Sequence, residues 1–166
     1  MKTALLVMDM QKGFMNKYTL PLIPKIKKLI AEEIFDYVIF TRFVNTPASP
    51  YVRLIGFKGM LTEQDTALVP KLEENASFIF QKHTYTPFTS QLNRFLQEKK
   101  ITRIYFAGVD TNACVLKGAV DAFEKGYIPL VLAEYCASHS GEQFHALALE
   151  NLKRLIGVKQ VIIKKQ

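Results

Sequence analysis

The feature that most constrains the fold of this chain is a regular alternation of short apolar runs with amphipathic segments of helical length. The apolar runs predict strands at residues 3–9, 37–42, 77–82, 103–108, 128–133 and 160–164. The amphipathic segments predict helices at 22–33, 89–99, 113–125 and 141–155. Strands that alternate with helices form parallel sheets covered on both faces, with right-handed crossovers. We therefore expect a three-layer α/β/α fold.

Length and composition are consistent with one domain over residues 1–166. Of the 166 residues, 49% are hydrophobic, which is enough for a substantial core. The apolar runs are strand-sized and bounded by charges, which argues against a membrane span. The N-terminus passes straight from Met1 into the first predicted strand without a signal-peptide pattern, so we expect a cytoplasmic protein with reduced cysteines.

The chain is basic, with 22 lysines and arginines against 15 acidic residues and a formal net charge of +7. The lysines occur in short groups at the ends of predicted elements, which is typical of a solvated surface. No nucleic-acid-binding module accompanies them, so we expect no nucleic-acid or membrane partner. An anionic substrate is compatible with this charge.

Three polar residues stand where predicted apolar strands end. Asp9 closes the first, Lys82 closes the third, and Cys114 follows the fourth within Gly108–Val115. In an open parallel sheet, ligands bind beyond the carboxyl ends of the strands, so these side chains are expected to converge there. A thiol at the start of a helix also lies near unpaired amides that stabilise a thiolate.

These residues resemble the isochorismatase-like cysteine hydrolases, the family of nicotinamidases and N-carbamoylsarcosine amidases. The resemblance covers nearly the whole chain. It is carried by Val7-Met8-Asp9-Met10-Gln11 with Gly13-Phe14, by Lys82 with Pro87-Phe88, and by Gly108-Val109 with Thr111, Cys114 and Val115. It implies a doubly wound, mainly parallel six-stranded sheet in the order of nucleotide-binding folds. No Gly-x-Gly-x-x-Gly follows the first strand, so a dinucleotide site is not expected.

The resemblance implies cleavage of a C–N bond in a small amide, ureide or carbamoyl compound. Asp9 acts as general base, Lys82 balances charge and Cys114 forms a thioester. An oxyanion hole is implied around Val109, Asp110 and Cys114, with a cis peptide bond between Val109 and Asp110. Isochorismatases proper lack the nucleophilic cysteine, so Cys114 favours C–N over vinyl-ether hydrolysis.

Each of these residues also has a structural interpretation. Asp9 alone is equally consistent with a helix cap or a metal ligand, and Lys82 alone with a solvated strand end. Cys136 is interpreted as a small buried hydrophobe. The three histidines show no metal-ligand spacing, and a surface or capping role is favoured for His145.

Substrate contacts are predicted less directly. Phe14, Tyr85 and Phe88 are the candidates for an apolar wall, although aromatic residues more often belong to the core. Arg42 or Arg53 is a weak candidate for binding a substrate carboxylate. Residues 45–64 are expected to form a loop over the site or an interface element.

A catalytic metal is not expected. Metal-dependent nicotinamidases carry an Asp-x-His segment after the second strand, and the corresponding Phe43 and Asn45 supply neither carboxylate nor imidazole. We predict no metal, no cofactor and a small-molecule substrate. By resemblance, we also expect a homodimer or homotetramer.

Two other functions stay open at this point. The fold could bind a small molecule or protein without turnover, or Cys114 and Cys136 could form a peroxidatic and resolving pair, although no Cys-x-x-Cys motif supports the latter. The sequence does not identify the substrate.

Overall fold

The computed structural model describes residues 1–163, and its core is a six-stranded sheet. The strands are β1 (Lys2–Met8), β2 (Tyr37–Phe43), β3 (Phe78–Lys82), β4 (Ile101–Val109), β5 (Ile128–Ala137) and β6 (Val161–Ile162). Their order is β3-β2-β1-β4-β5-β6, and every neighbouring pair is parallel. The predicted doubly wound sheet is therefore confirmed. The predicted sixth strand extended to Lys164, which lies outside the described residues.

Seven α-helices connect the strands: α1 (Leu22–Ala31), α2 (Pro50–Ile55), α3 (Glu63–Thr66), α4 (Pro70–Glu73), α5 (Ser90–Glu98), α6 (Leu116–Glu124) and α7 (Glu142–Ile156). The chain also contains 3₁₀ turns at Lys12–Phe14 and Val158–Gln160 and a π-helical turn at Thr111–Val115. The four longest helices correspond to the predicted ones. Helices α2, α3 and α4 were not predicted, because segments of four to six residues are too short to display a helical period.

The helices bury the two faces of the sheet in separate hydrophobic cores. Helices α5, α6 and α7 contribute to one core, and α1 and α4 contribute to the other. Strand β1 serves both, because its successive side chains point to opposite faces: Leu6 enters the first core and Leu5 the second. The central position of β1 explains why its apolar run is nearly continuous.

The predicted apolar face of α7 is only partly buried. Ala148 and Leu152 pack into the core as expected, whereas Phe144 and Leu147 are 47% and 57% exposed. The helix carries apolar residues around more of its circumference than its contacts with the sheet and α6 can cover. Helical spacing identified the helix but did not identify which of its apolar residues are buried.

Gly108 allows β4 to end close against β1. Its φ is +105°, and a Cβ atom at this position would lie 2.2 Å from the Met8 carbonyl oxygen. Only glycine permits both the backbone conformation and this approach. The close contact brings the turn that follows β4 beside Asp9, the residue that follows β1.

Within residues 1–163, none of the helices combines the length and the apolar character that crossing a bilayer requires.

Candidate active site

Asp9, Lys82 and Cys114, the predicted triad, meet at the carboxyl edge of the sheet. Lys82 Nζ lies 2.8 Å from Asp9 Oδ2 and 3.3 Å from Cys114 Sγ. All three side chains are buried. Strand β2 separates β3 from β1, and neighbouring strands are about 4.8 Å apart, so only a long side chain on β3 can reach the end of β1. Lys82 supplies that length.

Asp9 is held by the next strand. Thr41 Oγ1 donates a 2.6 Å hydrogen bond to Asp9 Oδ1 and accepts one of 3.1 Å from the Asp9 backbone N–H. Asp9 also has a positive φ of 48°, which turns the chain at the end of β1. Its Oδ2 atom is paired with Lys82 Nζ and has further lone pairs, so it can still accept a proton.

Lys82 is fixed from several directions. Besides its two triad partners, Nζ donates to the carbonyl oxygens of Thr84 at 2.9 Å and Tyr85 at 3.4 Å, and it lies 5.2 Å from the centre of the Phe43 ring. Burial lowers the pKa of Lys82, but its interactions with the Asp9 carboxylate and with Cys114 outweigh burial and raise it overall. The amine is therefore a permanent cation at neutral pH.

Cys114 lies inside the π-helical turn Thr111–Val115, which precedes α6. The expected position in the first turn of an α-helix is therefore wrong in detail. Burial and the Asp9 carboxylate raise the pKa of the Cys114 thiol well above its usual range, although Lys82 opposes them. The resting thiol is protonated, with an acceptor and a cation beside it.

The π-helical turn Thr111–Val115 is held by Asp110, which precedes it, and by His145 of α7. The Asp110 carbonyl oxygen accepts hydrogen bonds from the N–H groups of Ala113 and Val115 at 3.1 and 3.0 Å, and the Val109–Asp110 peptide bond is cis. Thr111 Oγ1 lies 2.7 Å from His145 Nδ1 on α7. His145 therefore contacts the turn, a role that its helical position alone did not indicate.

Cys114 opens into a cavity of about 170 Å³. Its apolar wall comprises Phe14, Phe43, Tyr51, Ile55, Phe57 and Tyr85. Polar groups are contributed by Asp110, Asn112 and His139. A larger apolar groove of about 970 Å³ beside β5 and β6 contains none of the predicted site residues. The smaller cavity is thus the one that reaches the thiol.

Only some of the candidate substrate contacts line the cavity in the structure. Phe14 and Tyr85 line the cavity, as expected. Phe88 does not: it is buried in the core below α5, and its ring stacks on Tyr127. Arg42 and Arg53 also lie outside the lining, because Arg42 donates to Gln81 and Arg53 donates to the Ala48 carbonyl. Sequence patterns do not distinguish these cases, because the path of the loops decides which of the five side chains face the cavity.

Part of the cavity wall comes from residues 45–60, which lie in the segment 45–64 that was expected to form a loop over the site or an interface element. It contains α2 and contributes Tyr51, Ile55 and Phe57. Tyr51 packs edge-on against Tyr85 at 4.9 Å. Sequence reasoning missed these residues because their approach to the site depends on the path of the loop.

The residues at and just after the end of β2 do not fit a metal. The Phe43 ring packs over Lys82, and Asn45 uses Nδ2 to bind the carbonyl oxygens of Phe57 and Gly59. Across residues 1–163, no group of three or more histidine, cysteine, aspartate or glutamate side chains is arranged to hold an ion. We derive no catalytic step through a metal.

The chain is similar in sequence to known proteins. The isochorismatase domain model matches residues 3–161. The chain is 36% identical over 83 residues to an isochorismatase family protein, PncA, from Bacillus subtilis, covering 49% of this chain and 45% of that protein. It is 32% identical over 95 residues to the ureidoacrylate amidohydrolase RutB of Methylobacterium radiotolerans, covering 56% and 37%. The matched regions span less than half of each relative.

Solved structures extend the similarity over the whole fold. The nicotinamidase/pyrazinamidase PncA of Bacillus subtilis superposes with a TM-score of 0.79 at 26% identity, covering 98% of this chain and all of that one. An isochorismatase-like hydrolase from Alkaliphilus metalliredigens gives a TM-score of 0.86 at 23% identity over 98% and 94% of the two chains, a likeness of fold alone. Because the isochorismatase domain model matches residues 3–161 of this 166-residue chain, the chain belongs to the isochorismatase family.

Proposed function

We propose that the protein is a cysteine hydrolase that cleaves a C–N bond of a small amide, ureide or carbamoyl compound. The observation that carries this proposal is the bridging position of Lys82, 2.8 Å from Asp9 and 3.3 Å from Cys114. A buried cation at that point stabilises a negative charge on either neighbour. Proton transfer between thiol and carboxylate then leaves the total charge of the site unchanged.

Acylation begins with transfer of the Cys114 proton to Asp9 Oδ2. Sγ attacks the substrate carbonyl carbon, and a C–S bond forms. Asp9 then returns the proton to the leaving nitrogen, the C–N bond breaks, and ammonia or an amine departs. The raised pKa of Cys114 is compatible with this sequence, because the thiolate is needed only while Asp9 holds the proton.

Hydrolysis of the resulting thioester uses the same groups. Asp9 accepts a proton from water, the oxygen attacks the carbonyl carbon, and the C–S bond breaks. The departing thiolate takes the proton from Asp9, which restores the resting state and releases the acid. Lys82 stays protonated throughout, since its pKa is raised.

The oxyanion that forms in both steps requires donors near Sγ. The N–H groups of Ala113 and Val115 are already bonded to the Asp110 carbonyl oxygen. We therefore assign the backbone N–H of Cys114 as the principal donor. Val109 and Asp110, which the resemblance places in the oxyanion hole, would act by shaping the turn.

The cavity limits the size of the substrate. An apolar cavity of about 150 Å³ holds one benzene molecule, so the 170 Å³ here accommodates about one ring or a short chain. The aromatic wall favours a flat group. Both an aromatic amide, as for the nicotinamidase/pyrazinamidase PncA, and a ureide, as for the ureidoacrylate amidohydrolase RutB, are of suitable size.

Ammonia release from a panel of small amides, ureides and carbamoyl compounds tests the proposal. At least one compound should be turned over by the wild-type protein and not by Cys114→Ala. Mass spectrometry after rapid acid quenching should detect an acyl adduct on the peptide that contains Cys114. Turnover that persists in Cys114→Ala would overturn the proposal.

A further inference from the structure

A pair of polar residues, Asp110 and His139, interrupts the aromatic wall of the cavity. Neither belongs to the triad, yet both line the space into which Cys114 opens. Asp110 follows β4, and His139 follows β5. The β4–β5 pairing, which continues to Val109 and Ala137, carries these two positions to the same edge of the sheet.

The Asp110 carboxylate is committed to His139. Oδ1 accepts a 2.8 Å hydrogen bond from the His139 backbone N–H, and Oδ2 forms a short contact with His139 Nδ1. Asp110 is 8% exposed, whereas the His139 side chain is 41% exposed. His139 is therefore the member of the pair that a ligand can reach.

Three neighbouring residues fix the position of His139. Asp110 binds both the ring Nδ1 and the backbone N–H of His139. Asn16 Nδ2 donates a 2.7 Å hydrogen bond to the His139 carbonyl oxygen, and the Phe14 ring lies 6.0 Å away. A side chain that is positioned before a ligand arrives loses little entropy on binding.

One ring nitrogen remains for a ligand. Among the described residues, none forms a hydrogen bond with His139 Nε2, whose ring partner Nδ1 is engaged by Asp110. The hydrogen bond to Asp110 raises the pKa of His139 more than partial burial lowers it. The imidazolium therefore forms at higher pH than in a free imidazole, and in that form Nε2 is a donor.

The lysine in the site does not offer the same function. Lys82 Nζ already contacts Asp9, Cys114 and two backbone carbonyls. No arginine and no other lysine belongs to the cavity lining within residues 1–163. Among the described residues that line the cavity, His139 is thus the basic side chain with a ring nitrogen, Nε2, left for a ligand.

We propose that His139 binds a carboxylate on the substrate, with Asp110 as the residue that positions it, so that the enzyme selects small amides or ureides bearing an acid group. This inference rests on the proposed C–N hydrolase function and narrows its substrate class. The remaining aromatic wall would contact the body of the substrate. Because the Asp110–His139 pair has no net charge when both are ionised, the substrate carboxylate meets a localised donor without an extended positive field.

Matched ligand pairs in which a methyl group replaces the terminal carboxylate test the inference. The probes are 3-ureidopropanoate against propylurea, and succinamate against butyramide. Calorimetric titration into Cys114→Ala protein measures affinity without turnover. We expect the acid of at least one pair to bind at least about tenfold tighter than its neutral partner, since hydrogen bonds to charged groups contribute about 1.5–3 kcal/mol. Equal affinity within both pairs, or no binding, overturns the inference.

Variants in the same Cys114→Ala background locate the preference. His139→Ala and His139→Gln should reduce it at least several-fold, with the larger loss on the acid. The matched control is His83→Ala, because His83 is exposed, bonds the Val44 carbonyl and does not line the cavity. If the acid still binds more tightly than its neutral partner in both His139 variants, another group binds the carboxylate and the inference fails.

Asp110→Asn tests the positioning role separately. NMR titration of the three histidines should show a lower pKa for His139 in this variant, because the carboxylate that stabilises the imidazolium is gone. The acid preference should fall with it. An unchanged His139 pKa would remove Asp110 from the inference.

Turnover distinguishes this inference from the function on which it rests. If Cys114→Ala protein prefers the acids but wild-type protein hydrolyses neither these nor any panel compound, the carboxylate site stands and the hydrolase proposal fails. If wild-type protein hydrolyses acids and neutral partners with equal kcat/KM and affinities are also equal, the hydrolase proposal stands and the carboxylate site fails.

Discussion

The two cysteines of this protein are buried to a similar extent but have different neighbouring groups. Cys114 and Cys136 are 7% and 5% exposed, and burial raises the pKa of each. Cys136 lies in β5, where its Sγ makes a weak 3.6 Å contact with the Phe106 carbonyl oxygen. Cys114 lies at the strand ends, beside a carboxylate and a lysine, and it faces a cavity. The comparison teaches that a low resting pKa is not what separates the thiol we propose as nucleophile from the other buried thiol.

Loss of a triad side chain is the largest effect that the comparison predicts. Cys114→Ala, Asp9→Asn and Lys82→Ala should each lower kcat/KM by at least roughly a thousandfold, about 4 kcal/mol of transition-state stabilisation. Because one proton moves among these groups, double changes should be little worse than the worst single change. Steady-state kinetics on a panel substrate measures this.

Cys136→Ala is the matched control for Cys114→Ala, and it should keep kcat/KM within a few-fold of wild type. Additive losses among the triad variants would mean that the three residues do not act as one unit. A comparable loss in Cys136→Ala would erase the distinction between the two cysteines.

Thr41→Val should give the next largest loss. It removes the hydroxyl that donates to Asp9 Oδ1 at 2.6 Å while preserving the shape of the side chain. A hydrogen bond to a charged group contributes about 1.5–3 kcal/mol, so kcat/KM should fall about tenfold to a hundredfold. Thr66→Val is the control, because the Thr66 hydroxyl contacts only carbonyl oxygens of its own segment. Equal losses in both variants would contradict a specific role for Thr41.

Asp9→Asn should separate thiol reactivity from turnover. The Asp9 carboxylate raises the pKa of Cys114, so its removal lowers that pKa and increases the thiolate fraction at neutral pH. Iodoacetamide should therefore label Cys114 about tenfold faster in Asp9→Asn than in wild type, although turnover is lost. The rate should rise through a midpoint at lower pH than in wild type.

In wild-type protein, the same reagent should label Cys114 before Cys136, since only Cys114 faces the cavity. Peptide mapping by mass spectrometry reads both sites at once. Slower labelling of Cys114 in Asp9→Asn would show that Asp9 promotes the resting thiolate, contrary to this account.

The smallest effect concerns stability. Cys136→Ala removes one buried sulfur from the sheet, and we expect a decrease of about 1 kcal/mol in the free energy of unfolding. Urea denaturation measures it. A loss several times larger would indicate that Cys136 has a structural role beyond filling space.

The sheet and the triad were accessible from the sequence for a common physical reason. Parallel strands place their carboxyl ends at one edge, so Asp9, Lys82 and Cys114 could be brought together without knowing the loops. The resemblance supplied the strand order, which periodicity does not contain. The strands could be predicted from their apolar runs because buried parallel strands are nearly continuous apolar sequences.

What the sequence could not provide depends on loop conformation and on contacts between distant segments. The residues of the π-helical turn around Cys114 would also be compatible with the start of an ordinary α-helix. The pairing of Asp110 with His139 joins positions 29 residues apart, and the histidines showed no spacing that indicated it. Likewise, Phe88 and Tyr85 looked equivalent until the backbone placed one in the core and the other on the cavity.

The segment 45–60 has a consequence for how such an enzyme could diversify. Its two ends are joined, since the Asn45 N–H donates to the Met60 carbonyl oxygen at 2.9 Å and the Asn45 side chain binds the Phe57 and Gly59 carbonyls. It is therefore a closed excursion that contributes Tyr51 and Phe57 to the cavity and no residue to the triad. Exchange of this excursion for one of another length would alter which molecules enter while leaving the reacting groups in place. Part of the expected selectivity is thus carried by a piece of the chain that contributes none of the proposed reacting groups, and evolution or an engineer can rewrite that piece alone.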